Sequence, residues 1–165
     1  MANHKASPES HMKRSNELLH LAVDPILVSV HPAFVQEILE GNKRVEFRRR
    51  WPRQLSGVVL IYSTAPAKSL AALVEIVEVA RQSKTQLWEL AKELGGGVTR
   101  QVLFDYMDGM SEGVALKLGR RMSFDKGLPP SKVFGASFRP PQSFRYLKRS
   151  EIVKLSGVLG DRAWD

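Results

Sequence analysis

Between Gly41 and Arg53 apolar and charged positions alternate: Val45 and Phe47 are interleaved with Arg44, Glu46 and Arg48. A period of two marks a half-buried strand, so Val45 and Phe47 face a core while the charged residues share the other side and Lys43 enters at the strand's start. Upstream, Ile26-Leu27-Val28-Ser29-Val30 reads as a short apolar strand. His31-Pro32 then opens a helix, with Pro32 at its tolerated first position, Phe34, Val35, Ile38 and Leu39 at core spacing, and Gly41 as its stop. Trp51-Pro52 breaks the basic strand, and Ser56-Gly57 turns into Val58–Thr64, apolar enough for a central strand that Pro66 ends.

Leu70–Ala80 predicts a longer strand with Glu75 and Glu78 inside an apolar run. Their odd separation places them on opposite faces, and each needs a cation, hydrogen bonds or a wet cleft, because an unpaired buried charge is costly. Ser83-Lys84-Thr85-Gln86 fits a capping box for a helix that Gly95-Gly96-Gly97 terminates, and Val102, Leu103, Tyr106 and Met107 suggest a second helix ending at Asp108-Gly109. Val114–Leu118 returns to strand, extended by Arg120, Arg121 and Phe124, and Gly127-Leu128-Pro129-Pro130 reads as a loop. A shorter strand is expected near Val133-Phe134. Pro141 is expected to start a helix with Phe144, Arg145 and Leu147 on its first turns.

Residues 1–24 carry weak helical character only around Asn16–Leu21 and read as a flexible arm, in part a cloning remnant around Ser10-His11-Met12. Residues 25–165 then form one domain. With 165 residues, 43% of them hydrophobic, there is enough chain for a real core. No run is long enough for a membrane span and no signal-peptide pattern opens the chain, so a soluble, cytoplasmic protein is expected.

The formal charge of +8 is unevenly distributed. Lys117–Arg149 holds nine bases against Asp125 alone, whereas Glu75–Glu112 holds seven acids against four bases. A second basic block, Lys43–Arg53, joins six bases to Glu46, Phe47 and Trp51. If the fold brings the two blocks together, a polyanion such as nucleic acid is the natural partner; if not, the charge serves solubility and the domain is a non-enzymatic interaction module.

Candidate chemistry is narrow. There is no cysteine, and the histidines all lie at or before His31, so Cys-based zinc sites, thiolate nucleophiles and the usual imidazole bases are missing from the body of the domain. No metal and no cofactor is expected. Walker, Rossmann and Gly-x-Ser-x-Gly patterns are absent, and Gly95-Gly96-Gly97 follows a helix, as a stop signal does. Any catalysis would fall to Lys43 with Glu46, Glu75 or Glu78.

The order strand, helix, Gly41-x-Lys43-x-x-Glu46-x-Arg48, apolar strand and Glu-bearing strand resembles the ASCH domain, a branch of the PUA-like superfamily, and matches its signature at all four fixed positions. The resemblance spans about residues 26–155. Leu60–Pro66 and Pro140–Leu147 look like a bacterial subgroup. The resemblance implies an α+β fold, a small, mostly antiparallel β-barrel with covering helices, and a cleft beside the signature strand suited to RNA, single-stranded nucleic acid or a nucleoside, with a base, modified or not, turned out of its stack. Arg44, Arg48, Arg49, Arg50 and Arg53 would then track phosphates. Trp51, Phe144 and Tyr146 would offer stacking faces beside Arg145, with Pro140–Leu147 as one wall.

One ASCH subgroup is similar in the same strand and removes an acetyl group from cytidine with a Lys, Thr and Glu set. By motif the lysine falls on Lys43 and the glutamate on Glu78, while Glu46 stands where the threonine would be. Lys43, Glu46 and Glu78 are therefore expected to meet at the base of the cleft, the two carboxylates keeping Lys43 protonated. Ribonuclease activity has been attributed to other members. Here it would have to work without histidine.

Overall fold

The computed structural model of the chain describes residues 24–53, 57–160 and 164. The N-terminal arm up to residue 23 and Ser56 of the expected turn lie outside the described residues. Six strands and five helices follow one another as β1 (Ile26–Val30), α1 (Pro32–Glu40), β2 (Val45–Arg48), β3 (Val58–Ser63), β4 (Ser69–Gln82), α2 (Lys84–Leu94), α3 (Arg100–Tyr106), β5 (Gly113–Leu128), α4 (Ser131–Phe134), β6 (Phe144–Tyr146) and α5 (Arg149–Leu159). The strands form one sheet in the order β2-β5-β4-β3-β1-β6, curled into a half-barrel. Only β1 and β3 run parallel; every other pair is antiparallel.

The curl has an identifiable cause. The long β4–β5 ladder shifts register between Leu70 and Ala72, between Val74 and Ile76, and again between Ile76 and Glu78. Each such irregularity bends the strand and increases its twist, so a flat six-stranded sheet is not available to this sequence. Side-chain alternation then gives each face its own core. From β1, Leu27 joins Leu60, Leu73, Met122 and Leu155 under α5, whereas Ile26 and Val28 join Ile61, Val74 and the α1 residues Val35 and Ile38. A third cluster seats α2 and α3 on Val45 and Phe47 of β2.

Local signals read from the chain are present in the structure. Gly41 caps α1 at φ 80°, and Ser83 with Gln86 forms a reciprocal capping box on α2. Three expectations differ. Val133-Phe134 lies in helix α4, because Pro130 already holds helical angles and Gly135 stops the chain one turn later. Gly127 and Leu128 belong to β5, where Leu128 pairs with Leu70. Phe144–Tyr146 is a strand on the edge of the sheet, paired with β1, and the helix starts only at Arg149. Pairing there occupies Ser143 and Leu147, whose backbone groups bond Ser29 (3.3 Å) and Pro25 (2.8 Å), and the two prolines before β6 sit where no ladder donor is needed.

Candidate functional site: the Lys43 pocket

The chain leaves α1 through a turn that aims Lys43 inward. Gly41 takes the left-handed conformation, and the amides of Asn42 and Lys43 both donate to the Glu37 carbonyl at 3.0 Å. This cap delays β2 until Val45 and drops the Lys43 side chain into the space between α1, β2 and the loop after α2. Lys43 is only 2% exposed. Its ammonium donates to the Gly96 carbonyl and lies 5.0 Å from the centroid of Phe34 and 5.4 Å from that of Phe47. The glycine run after α2 is therefore more than a stop, since it supplies the acceptor for a buried cation.

Glu46 joins the two cations of the motif. Its carboxylate is 3.5 Å from Lys43 Nζ and 3.3 Å from Arg48 Nη2. Burial pushes the Lys43 amine below its ordinary value despite the opposing pull of Glu46. The expected pair of carboxylates, Glu46 and Glu78, is corrected in one member: Glu46 pairs with Lys43, and Glu78 does not. Arg48 is also buried. It donates to the Ser29 carbonyl at 2.9 Å and reaches the Ser143 carbonyl at 3.5 Å. All four signature positions therefore act together: Gly41 turns the chain, Lys43 and Glu46 form the floor, and Arg48 anchors Glu46 to β1.

Above this floor is a cavity of about 230 Å³ with largely apolar walls, to which Phe34, Phe47, Val98, Val102, Leu103 and Tyr106 contribute. Val102 and Tyr106 on α3 line it and are 51% and 41% exposed, which places them at its rim. His31 lines it too. Its Nδ1 accepts the Ala33 amide at 3.2 Å, which leaves the proton of a neutral imidazole on Nε2. His31, the N-cap of α1 directly after β1, therefore lies at the pocket, whereas the sequence alone places every histidine outside the body of the domain. Its place in the chain, directly after an apolar strand and before a helix-opening proline, was the available signal.

The remaining expected site residues are dispersed. Glu78 does not meet Lys43; it bonds Lys117 at 2.8 Å in an exposed pair, while Glu75 takes Arg120 at 3.0 Å. Two register shifts around Ile76 reset the alternation that the spacing of these acids assumed. The Lys43, Glu46 and Glu78 set is not assembled, which removes the geometric basis for the acetylcytidine reading. Trp51 is 5% exposed and packs on Phe144 at 5.1 Å, so neither ring is an open stacking face. Arg49 donates to the Tyr106 carbonyl at 2.9 Å beside the pocket, and Arg44, Arg50 and Arg53 are exposed. Arg145 and Tyr146 line a different recess, although the turn before them touches Arg48 and Ser29. Among the described residues there is no cluster suited to holding a metal ion, and no helix is long and apolar enough to cross a membrane.

The helix cap, the buried Lys-Glu-Arg chain and the apolar pocket all fall within residues 28–118, the stretch that the family model of the ASCH domain matches. The chain belongs to this family. It is 32% identical over 132 residues to an ASCH domain-containing ribonuclease of Zymomonas mobilis, an alignment covering 78% of this chain and 88% of that protein. The crystal structure of ASCH from Zymomonas mobilis superposes with a TM-score of 0.68 at 29% identity, covering 82% of this chain and 95% of the other. A Tyr-to-Phe mutant from the same organism gives 0.67 at 27% identity, over 82% of this chain and 99% of the other.

Proposed function

We propose that this ASCH domain binds single-stranded RNA or a closely related single strand and takes one base, modified or not, into the Lys43 pocket. The carrying observation is the combination of a buried donor and acceptor, Lys43 and Glu46, at the floor of a cavity whose lip exposes Val102 and Tyr106. Lys43 has a donor and Glu46 has lone pairs left for the polar edge of a base, and aromatic walls suit its faces. Exposed Arg44, Arg50 and Arg53 supply the phosphate contacts. The test is a fluorescence-anisotropy titration with labelled single-stranded RNA. Binding that falls steeply with salt and is weakened by Tyr106→Ala and Val102→Ser supports the reading; no binding at low salt would sink it in favour of a charge that serves only solubility.

RNA cleavage is a second reading, favoured by His31 beside Lys43 in the same pocket and by the name of the ribonuclease relative. In this reading a 2′-hydroxyl attacks the adjacent phosphorus and gives its proton to water, while the 5′ oxygen leaves with a proton from the Lys43 ammonium, which solvent restores. His31 Nε2–H donates a hydrogen bond to a phosphoryl oxygen, and the products are a 2′,3′-cyclic phosphate and a 5′-hydroxyl end. His31→Asn keeps a capping side chain while removing the imidazole. RNA left uncut by the wild-type protein, or cut equally by the variant, would dismiss this role.

A further inference from the structure

We infer that a second nucleotide-binding recess, built from α4, β6 and the start of α5, holds the same strand beyond the base in the Lys43 pocket. It rests on the reading of the domain as a single-strand binder. The recess encloses about 290 Å³ and lies entirely past the residues that the family model matches. Its floor is fixed. Phe134 and Phe138 stack at 4.7 Å, and the Arg145 guanidinium sits 4.9 Å from the Phe134 centroid while Glu151 clamps it through bonds of 2.9 and 3.1 Å.

Of the three cations lining this recess, Arg145 is thus neutralised by Glu151, and Arg139 and Lys148 remain exposed. Glu151 also accepts the Lys148 amide at 2.8 Å, so the start of α5 is already occupied by a carboxylate and an incoming phosphate must be met by side chains. Exposed Arg139 and Lys148, with the 36%-exposed ring of Tyr146, make a phosphate contact and a stacking face, the two elements that single strands use.

The two recesses are joined by one short segment. Ser29 Oγ donates to the Pro141 carbonyl at 2.6 Å, Arg48 reaches Ser143, and both Ser29 and Arg48 line the Lys43 pocket. From Pro141 to Arg145 there is at most about 14 Å of extended chain, a span that a few nucleotides cover.

The experiment measures affinity for labelled oligoribonucleotides from a dinucleotide to about sixteen nucleotides, which spans the usual single-strand site sizes of about 4–16. The proteins are the wild type, the double variant Arg139→Glu/Lys148→Glu, and Lys126→Glu/Lys154→Glu as an equal charge change at exposed positions outside both recesses. Wild-type affinity should step up once the strand reaches the second recess. The Arg139/Lys148 variant should lose about tenfold or more on long strands only, and Tyr146→Ala should lower the same step. Equal losses in both double variants, or no length-dependent step while short strands still bind, overturn the second recess alone. If no strand of any length binds the wild type, the single-strand reading falls with it.

Discussion

Arg48 and Ser29 belong to strands near opposite ends of the sheet, yet the Arg48 guanidinium donates to the Ser29 carbonyl at 2.9 Å. β2 is one edge, β1 lies next to the other, and Ser143, just before the far edge β6, takes a second contact from the same side chain. A planar fork with several donors suits this bridge between strand ends that share no ladder.

Arg48→Ala removes the bridge and leaves Glu46 with one cation instead of two. Breaking a buried charge network of this kind costs about 3–5 kcal/mol, and Arg48→Lys recovers little because a point charge cannot span both carbonyls. Arg44→Ala, at an exposed neighbour, should stay within about 0.5 kcal/mol. Urea unfolding of the three variants decides it; a small loss for Arg48→Ala would show that the curl holds without the bridge.

Gly95 and Gly109 both have positive φ, 69° and 75°, but differ in what surrounds them. A Cβ on Gly95 would come 1.9 Å from the Asn42 carbonyl, whereas one on Gly109 meets nothing within 4 Å. Gly109→Ala should therefore cost only the left-handed penalty of about 1–2 kcal/mol. Gly95→Ala should cost more and also weaken nucleic-acid binding, because the loop it displaces carries the Gly96 acceptor of Lys43. Equal melting temperatures for the two variants would contradict the close approach.

Much of this architecture was legible because it depends on neighbours in the chain. Alternation at Val45 and Phe47, the stop at Gly41 and the capping box at Ser83 each act over a few residues, and each is present. What stayed hidden depends on contacts distant in sequence. The destination of Glu78 was changed by register shifts that period-two reasoning does not contain. Phe144-Arg145-Tyr146 became a strand because β1 had an open edge, and an alternation of aromatics and arginines does not reveal an open edge. Helix α3 supplied the lip of the pocket through exposed Val102 and Tyr106, which as a pattern look like ordinary core-covering residues.

Glu75 gives a pH signature. The hydrogen bond from the Arg120 side chain, aided by the Arg120 amide at 3.2 Å, holds its carboxyl below the usual value against the effect of burial. A carboxyl with a lower pKa folded than unfolded adds stability above its unfolded value, about 4.3, and that contribution is lost as pH falls through the folded value. The stability gap between wild type and Glu75→Gln should therefore be open at neutral pH and close on acidification. A gap that stays constant across that range would mean that the Arg120 pair does not couple to folding.

Lys43 poses the sharpest trade between stability and function. It is desolvated in an otherwise apolar setting, and a buried ion pair rarely recovers its desolvation cost. Lys43→Met keeps an unbranched chain between Phe34 and Phe47 and leaves Glu46 paired with Arg48. The variant should match or exceed the wild type in melting temperature, as happens when a residue is kept for a site and not for the fold. Glu46→Ala should do the opposite, since it leaves two buried cations facing each other, at a cost of about 3–5 kcal/mol. The two proteins then separate the roles in a binding titration run well below both melting points. Lys43→Met should retain the salt-dependent affinity set by the exposed arginines and lose discrimination among bases. Substantial unfolding of Lys43→Met, or unchanged base discrimination by a folded one, would make Lys43 a structural residue and move the recognition elsewhere in the pocket.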